Sequence, residues 1–432
     1  INQDAARSNF VWTYYYKFIQ TANNVLSTIN EETATDEQKG YIAAAKAFRA
    51  LAYLDLGRMY EYLPTDVTKG VNADGNDVTG LTVPIVKEGM AEADARNNPR
   101  VKKEDLIKFI KEDLEYAEQN IGKLTKTAKT LPHLDCVYGL EARLYMWEGD
   151  YAKAQAAAEN AIKTSSVQPM TQAQCLNTTT GFNNLADFMW GSQQTSEDVV
   201  VSTGIINWTS WMCNEQTFGY CGAGTGDYIR IDTLAYNRLN DTDFRKLEWV
   251  APAGSPIANK VSFVNKTYGA SMPPMASVKF RPNQGEMDAP SVAAATAFPV
   301  MRVEEMYYIR MEAAAQQDAA KGKELLELFM KTRDPKYTCK ATSKEDIIKE
   351  IYFQKCIDLW GEGITFFDMK RLNYSLTRGY HGTNHSVGAR INTNGRPATT
   401  NFLFYRTEAE NNTALKGWNN PDPSGKYPLW TE

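Results

Sequence analysis

Histidine is scarce, at three residues in 432, which leaves little material for imidazole catalysis or a histidine-based metal centre. The six cysteines (Cys136, Cys175, Cys213, Cys221, Cys339 and Cys356) contain no CxxC pair and no zinc-type spacing, so zinc and thioredoxin chemistry are excluded. Only Cys213 and Cys221, eight residues apart in a loop-like stretch, suggest a disulfide. A basic excess is also missing, because 47 Lys+Arg face 52 Asp+Glu for a net charge of −5. The basic residues alternate with acids along the chain, which speaks against a nucleic-acid partner. No apolar run approaches the ~18 residues of a membrane span, and Ile1-Asn2-Gln3-Asp4 lacks the layout of a signal peptide. With 43% apolar residues and ordinary glycine and proline content, disorder and collagen are excluded as well.

What is present is mostly helix. Residues 1–164 form one set of helical pairs. Between 36 and 62, Tyr41, Ala45, Phe48, Ala52, Leu56 and Met59 recur at gaps of three and four, one stripe of a 3.6-residue period ending at Pro64. Leu106, Ile110, Leu114, Ala117 and Ile121 repeat the pattern over 102–122. The run Ala142 to Ile162 passes from one helix through Gly149 into another, with small residues at 142, 154 and 161 and Tyr151 as a wedge, like a tetratricopeptide pair. A degenerate second copy spans Met311 to Arg333 around Lys321-Gly322-Lys323.

From 165 to 297 the texture changes. Charged residues fall to 19 of 133, periodicity fades, and four of nine tryptophans (Trp190, Trp208, Trp211 and Trp249) gather. Val199–Ser202 and Val261–Val264 suggest short strands. This is an irregular insertion on the helical frame, the kind of segment that displays binding residues. Helices resume over 298–372, with Thr342-x-x-Glu345 as a capping box, and 373–432 is polar and irregular. The fold class expected is all-α: a single tetratricopeptide-like superhelix over 1–432 carrying one loop-rich insertion with a few short strands.

Three segments carry a family resemblance: Ala47-Phe-Arg49 through Pro64; Pro299-Val-Met-Arg302-Val-Glu-Glu305 through Glu312-Ala313; and Leu359-Trp-Gly361-Glu362-Gly363 through Asp368-Met-Lys-Arg371. With Asp113-Leu114 and the Ala142–Ala161 unit between them, the chain resembles the SusD/RagB family of outer-membrane glycan-binding lipoproteins of Bacteroidetes. It departs from the pattern at Gln354-Lys355, at Thr365, and at Tyr62-Leu63 before Pro64. The resemblance implies a non-catalytic receptor on the extracellular face of the outer membrane, lipid-anchored through a segment upstream of Ile1. It also implies a SusC-like TonB-dependent barrel transporter as partner, and no cofactor.

Most local chemistry has a bland alternative. His381-Gly-Thr-Asn-His385 lies in a loop, not on a metal-binding helix face; the glycines at 219, 222, 224 and 226 lack the Lys-Ser/Thr of a phosphate cradle; and Asn72 to Asp77 lacks the bidentate Glu of a calcium loop. Sugar binding needs a flat apolar platform and planar polar groups. Trp208, Trp211, Tyr220, Tyr228 and Arg230 in the insertion supply both, with Tyr62 and Asn72 as contributors from the loop after the first motif. Residues 65–98 contain no aromatic. The rival reading of each aromatic is packing against the frame, expected for Trp147 and Trp360; Trp12 to Tyr16 suits packing or partner contact. Two rival functions are a tetratricopeptide-like protein scaffold and a glycoside hydrolase.

Overall fold

A computed structural model describes residues 3–431. The helices that build the frame are α1 (Ala6–Thr28), α2 (Asp36–Tyr60), α3 (Lys103–Asn120), α4 (Leu134–Glu148), α5 (Tyr151–Thr164), α7 (Val303–Gln317), α8 (Ala319–Met330), α9 (Lys344–Asp358) and α10 (Thr365–Arg371), with the short α6 (Trp208–Met212) in the insertion between α5 and α7. Neighbours in sequence pack in space: α1 on α2, α2 on α3, α4 on α5, and α7 on α5, α8 and α9. The predicted stripe of α3 is buried at Leu106, Ile110, Leu114 and Ala117. Helix α2 is less one-sided than its period suggests. It lies between α1 and α3 and buries Ala43, Ala47, Ala50, Tyr53 and Leu54 as well, while Tyr41 stays exposed.

The expected turn between α4 and α5 forms at Gly149, whose φ of 91° favours a residue without a Cβ. Asp150 then caps α5 by accepting from the Lys153 N–H at 3.1 Å. The second pair also exists, but its break falls at Asp318, which accepts from Ala320 and Lys321 N–H and caps α8; Lys321-Gly322-Lys323 lies inside the helix. Ser343, not Thr342, caps α9 by accepting from Asp346 N–H.

Buried ion pairs anchor the family segments to the helices around them, and one joins the second segment to the third. Arg49 grips Asp113 with two bonds of 2.8 Å, joining α2 to α3. Arg143 grips Glu305 at 2.8 and 2.6 Å, joining α4 to α7. Asp368 accepts from Lys355 at 2.7 Å and Arg371 at 2.8 Å, and Arg371 reaches Glu312 at 2.9 Å, joining α9, α10 and α7. Lys355, a departure from the family pattern, is thus fully employed. Such pairs specify geometry more than they stabilise, because each ion gives up its hydration to enter the core.

Between 165 and 297 the chain forms short helical turns and one strand. Strand β1 (Trp190–Gln193) pairs antiparallel with β2 (Ala297–Met301). Neither predicted strand forms. Val199–Ser202 is a helical turn, since the Asp198 carbonyl captures Val201 and Ser202 N–H and no strand lies alongside; 261–264 is extended but unpaired, its Val264 N–H taken by Glu215 at 2.8 Å. The suggested disulfide is absent: Cys213 and Cys221 are free and buried, and the Cys221 Sγ donates to the Cys213 carbonyl oxygen at 2.9 Å. No helix among the described residues is long and apolar enough to cross a membrane.

Candidate functional site

Helix α6 opens with a capping box. Asn207 Oδ1 accepts from Ser210 N–H at 2.8 Å, and Ser210 Oγ accepts from Asn207 N–H at 3.2 Å. Thr209 and Ser210 face the interior, and Trp211 projects outward, 50% exposed. The loop that follows folds back so that Tyr220 N–H donates to the Ser210 carbonyl at 2.8 Å. The Tyr220 ring, 39% exposed, stacks on Trp211 with centroids 4.2 Å apart and planes 28° from parallel. Stacked aromatics of this kind form a rigid flat surface with little rotamer freedom left to lose.

Buried polar groups fix the loop beneath the pair. Asn214 donates to the Ile229 and Ser277 carbonyls at 2.8 and 2.9 Å, and Gln216 donates to Thr209 and Phe218 carbonyls at 2.9 Å. Glu215 is buried in an ion pair with Arg281; burial raises its pKa and outweighs the pull of the guanidinium. Gly222 has φ 69°, and a Cβ there would stand 2.2 Å from the Asn214 carbonyl oxygen, so only glycine lets the backbone pass this close.

The same loop leads into a cleft of about 590 Å3 lined by Asp227, Tyr228, Arg230, Asn384 and His385. Arg230 is exposed and donates to the Asn384 carbonyl at 3.3 Å. His385 Nε2 lies 3.1 Å from Asp232 Oδ2, which also accepts from Tyr380 OH at 2.6 Å. Burial and the nearby Arg378 lower the His385 pKa against the opposing pull of Asp232. An ionised carboxylate can only accept, so the ring nitrogen facing Asp232 is the donor of this contact. Among the described residues, no group of three or more His, Cys, Asp and Glu is arranged to hold a metal ion.

The seven sequence-proposed residues therefore divide. Trp211 and Tyr220 meet face to face, and Tyr228 and Arg230 line the adjoining cleft. Trp208 turns inward, stacked on Phe298 with centroids 5.2 Å apart and set edge-on to Phe280, so it packs the insertion against β2. Tyr62 is fully buried and donates to Thr68. Asn72 is buried and committed to the Gly417 and Asn419 carbonyls at 2.9 Å, making the 72–77 turn an anchor for the C-terminal segment. Tyr62 and Asn72 are buried away from any surface a ligand could reach, and Trp208 is half-buried. Asn384 and His385 were missed because the polar stretch after Arg371 carries no periodicity that would bring it to the insertion, and Asp227 because a lone carboxylate in a glycine-rich loop carries no pattern of its own.

In two other concavities several of the lining side chains are already paired within the protein. A cavity of about 220 Å3 between α2, α4 and α10 is walled by Arg143, Glu305, Lys355 and Asp368, which neutralise one another. In a larger groove beside α1, the amides of Asn23, Asn98 and Asn412 are spent on the carbonyls of Val86, Ile85 and Asn98.

Helix pairs stacked into a frame, with one charge-poor insertion presenting stacked rings, define a class of tetratricopeptide-like helical proteins. Within it, the family described as SusD-like, starch-binding and associating with the outer membrane matches residues 1–146. The SusD family matches residues 278–421. The chain belongs to the SusD/RagB family. A SusD-like carbohydrate-binding protein from Bacteroides vulgatus superposes with a TM-score of 0.73 at 19% identity, over 96% of this chain and 85% of that one. A SusD superfamily protein from Bacteroides thetaiotaomicron gives 0.69 at 18% identity, over 95% and 85%. A laminarin-binding SusD-like protein gives 0.59 at 16% identity, over 84% and 77%. No curated protein matches the chain.

Proposed function

We propose that this protein is a non-catalytic glycan receptor of the bacterial outer-membrane surface and that it captures oligosaccharide on the Trp211–Tyr220 platform. The observation that carries the reading is the half-exposed stacked pair beside a cleft of Asp227, Arg230, Asn384 and His385. The rings offer a flat surface to the C–H face of a pyranose, and the cleft offers donors and acceptors to its hydroxyls. The carbohydrate-binding and laminarin-binding relatives support the ligand class. A glycosidase needs two carboxyls flanking the scissile bond, whereas Asp227 is the single carboxylate lining the cleft; this supports binding without turnover.

Family membership further supports delivery of the ligand to a SusC-like TonB-dependent barrel, with a lipid anchor upstream of Ile1 holding the receptor at the membrane. Phe10, Tyr14 and Phe18, one ladder on the outer face of α1, are where we expect that partner. Isothermal titration against a panel of neutral oligosaccharides tests the capture step, and reducing-end assays on the same samples test turnover. Heat on binding with no release of reducing ends is expected. Release of reducing ends in excess of protein would overturn the non-catalytic reading, and silence across the panel would favour a protein scaffold.

A further inference from the structure

Residues 199–226 show an unusual absence of charge. Among these 28 residues Glu215 is the sole Asp, Glu, Lys or Arg, and it is fully buried against Arg281. Its exposed large side chains are apolar, Val199 at 75%, Ile205 at 40% and Ile206 at 61%, with Trp211 and Tyr220, while its exposed polar side chains, Ser202, Thr203, Thr217 and Thr225, carry no charge. Ile206 is held at φ 61°, a backbone region that β-branched residues seldom enter. The cap accounts for it. Asn207 is committed to starting α6 and its amide also donates to the Val200 carbonyl at 3.0 Å, while Thr203 Oγ donates to the Ile205 carbonyl at 3.2 Å. The isoleucines are therefore presented by a tied turn. Ile206 and Trp211 stand one residue before the cap and four after it, the two positions that a helix start brings to one side.

Resting on the glycan reading, we infer that this surface selects uncharged glycan units carrying apolar acyl groups, such as O-acetyl esters, over bare or anionic sugars. A hydroxyl-covered sugar gains from the flat rings but leaves the aliphatic edge of Ile205 and Ile206 with nothing to bury, whereas an acetyl methyl removes apolar area on both partners from water. A uronate or sulfate laid on the same edge would lose hydration, and the charges that flank the segment are mostly carboxylates: Glu197 and Asp198 before it, Asp288 bonded to Thr217 at 2.7 Å, and Asp227 with Arg230 after it. The continuity of the edge with the aromatic pair, through the shared start of α6, favours a sugar substituent over a separate protein partner.

The test is isothermal titration of O-acetylated xylo-, gluco- and galactomanno-oligosaccharides, their alkali-deacetylated counterparts, and oligogalacturonate. At least one acetylated ligand is expected to bind about 3- to 10-fold more tightly than its deacetylated form, the scale of one or two buried methyl groups, and oligogalacturonate more weakly than either. Ile206→Asn, a residue that tolerates positive φ, should abolish that preference, with the melting temperature read alongside to confirm that the variant is folded. Equal or tighter binding of the deacetylated forms or of oligogalacturonate overturns the inference and leaves the glycan reading standing. No binding of any glycan, including the neutral panel, overturns both, and a preference that survives Ile206→Asn removes the aliphatic edge from the account.

Discussion

In the helical frame, Arg49, Arg143 and Arg302 are withdrawn from solvent and each meets a carboxylate within 2.8 Å. Between 199 and 226 the only carboxylate is hidden and the large side chains on show are Val, Ile, Trp and Tyr. The two regions use solvent in opposite ways. The frame removes charge from water and must pair it, since an unpaired buried ion costs far more than its pairing returns. The insertion leaves apolar area in water, where it costs stability and is recovered only when something covers it. Stability and binding should then respond to different substitutions.

The largest effect is expected from Glu305→Gln, which strands the Arg143 guanidinium in the α4–α7 core. A loss of about 3 to 5 kcal/mol should be read by chemical denaturation, while glycan affinity of the folded fraction stays unchanged. Replacing both partners with apolar residues of similar volume should restore most of the loss; a double variant as unstable as the single would show that the pair itself supplies the energy.

Next in size is a pH effect where insertion meets frame. Burial pushes the Glu248 pKa up to about 7 against the pull of Lys279, so the folded protein holds a proton that the unfolded chain gives up near its ordinary value of 4.5. The folded state binds more protons in this window. Stability from the neutral carboxyl is therefore present below pH 4.5 and lost as pH rises to about 7, a decline of about 3 kcal/mol. Glu248→Gln should flatten that slope in denaturation curves at pH 5 and 7; an unchanged slope would assign it to other groups.

The smallest effect is expected at a helix start of the frame. Asp150→Ala removes the acceptor for Lys153 N–H and should lower stability by about 1 kcal/mol in thermal melts without touching affinity. A change in affinity would mean that the two regions are coupled.

How much of this was legible in the sequence follows the same division. The α2 and α3 stripes and the Gly149 turn rest on contacts three to five residues apart, so periodicity and one glycine reveal them. The ion pairs Arg49–Asp113, Arg143–Glu305 and Arg371–Glu312 span 59 to 162 residues, and only the resemblance pointed to a link between those stretches. In the insertion, local signals misled. Val199–Ser202 has strand composition but no neighbour to pair with, and β2 was obscured by Pro299, a residue tolerated in so short a two-stranded edge. Trp208 and Trp211 are three residues apart and chemically alike, yet one packs on Phe298 and the other stacks on Tyr220. That choice is made by the fold of the following loop, through Asn214 and Gln216, whose burial no composition argument foretells.

The most direct test of the account is to measure affinity and melting temperature together on Trp211→Ala and Tyr220→Ala, with Trp208→Ala as the packing control. Loss of one platform ring should weaken glycan binding by roughly tenfold to a hundredfold, about 1 to 3 kcal/mol, with the melting temperature nearly unchanged, while Trp208→Ala should do the reverse. Normal affinity in folded Trp211→Ala and Tyr220→Ala proteins would contradict the account and move the binding surface off the insertion.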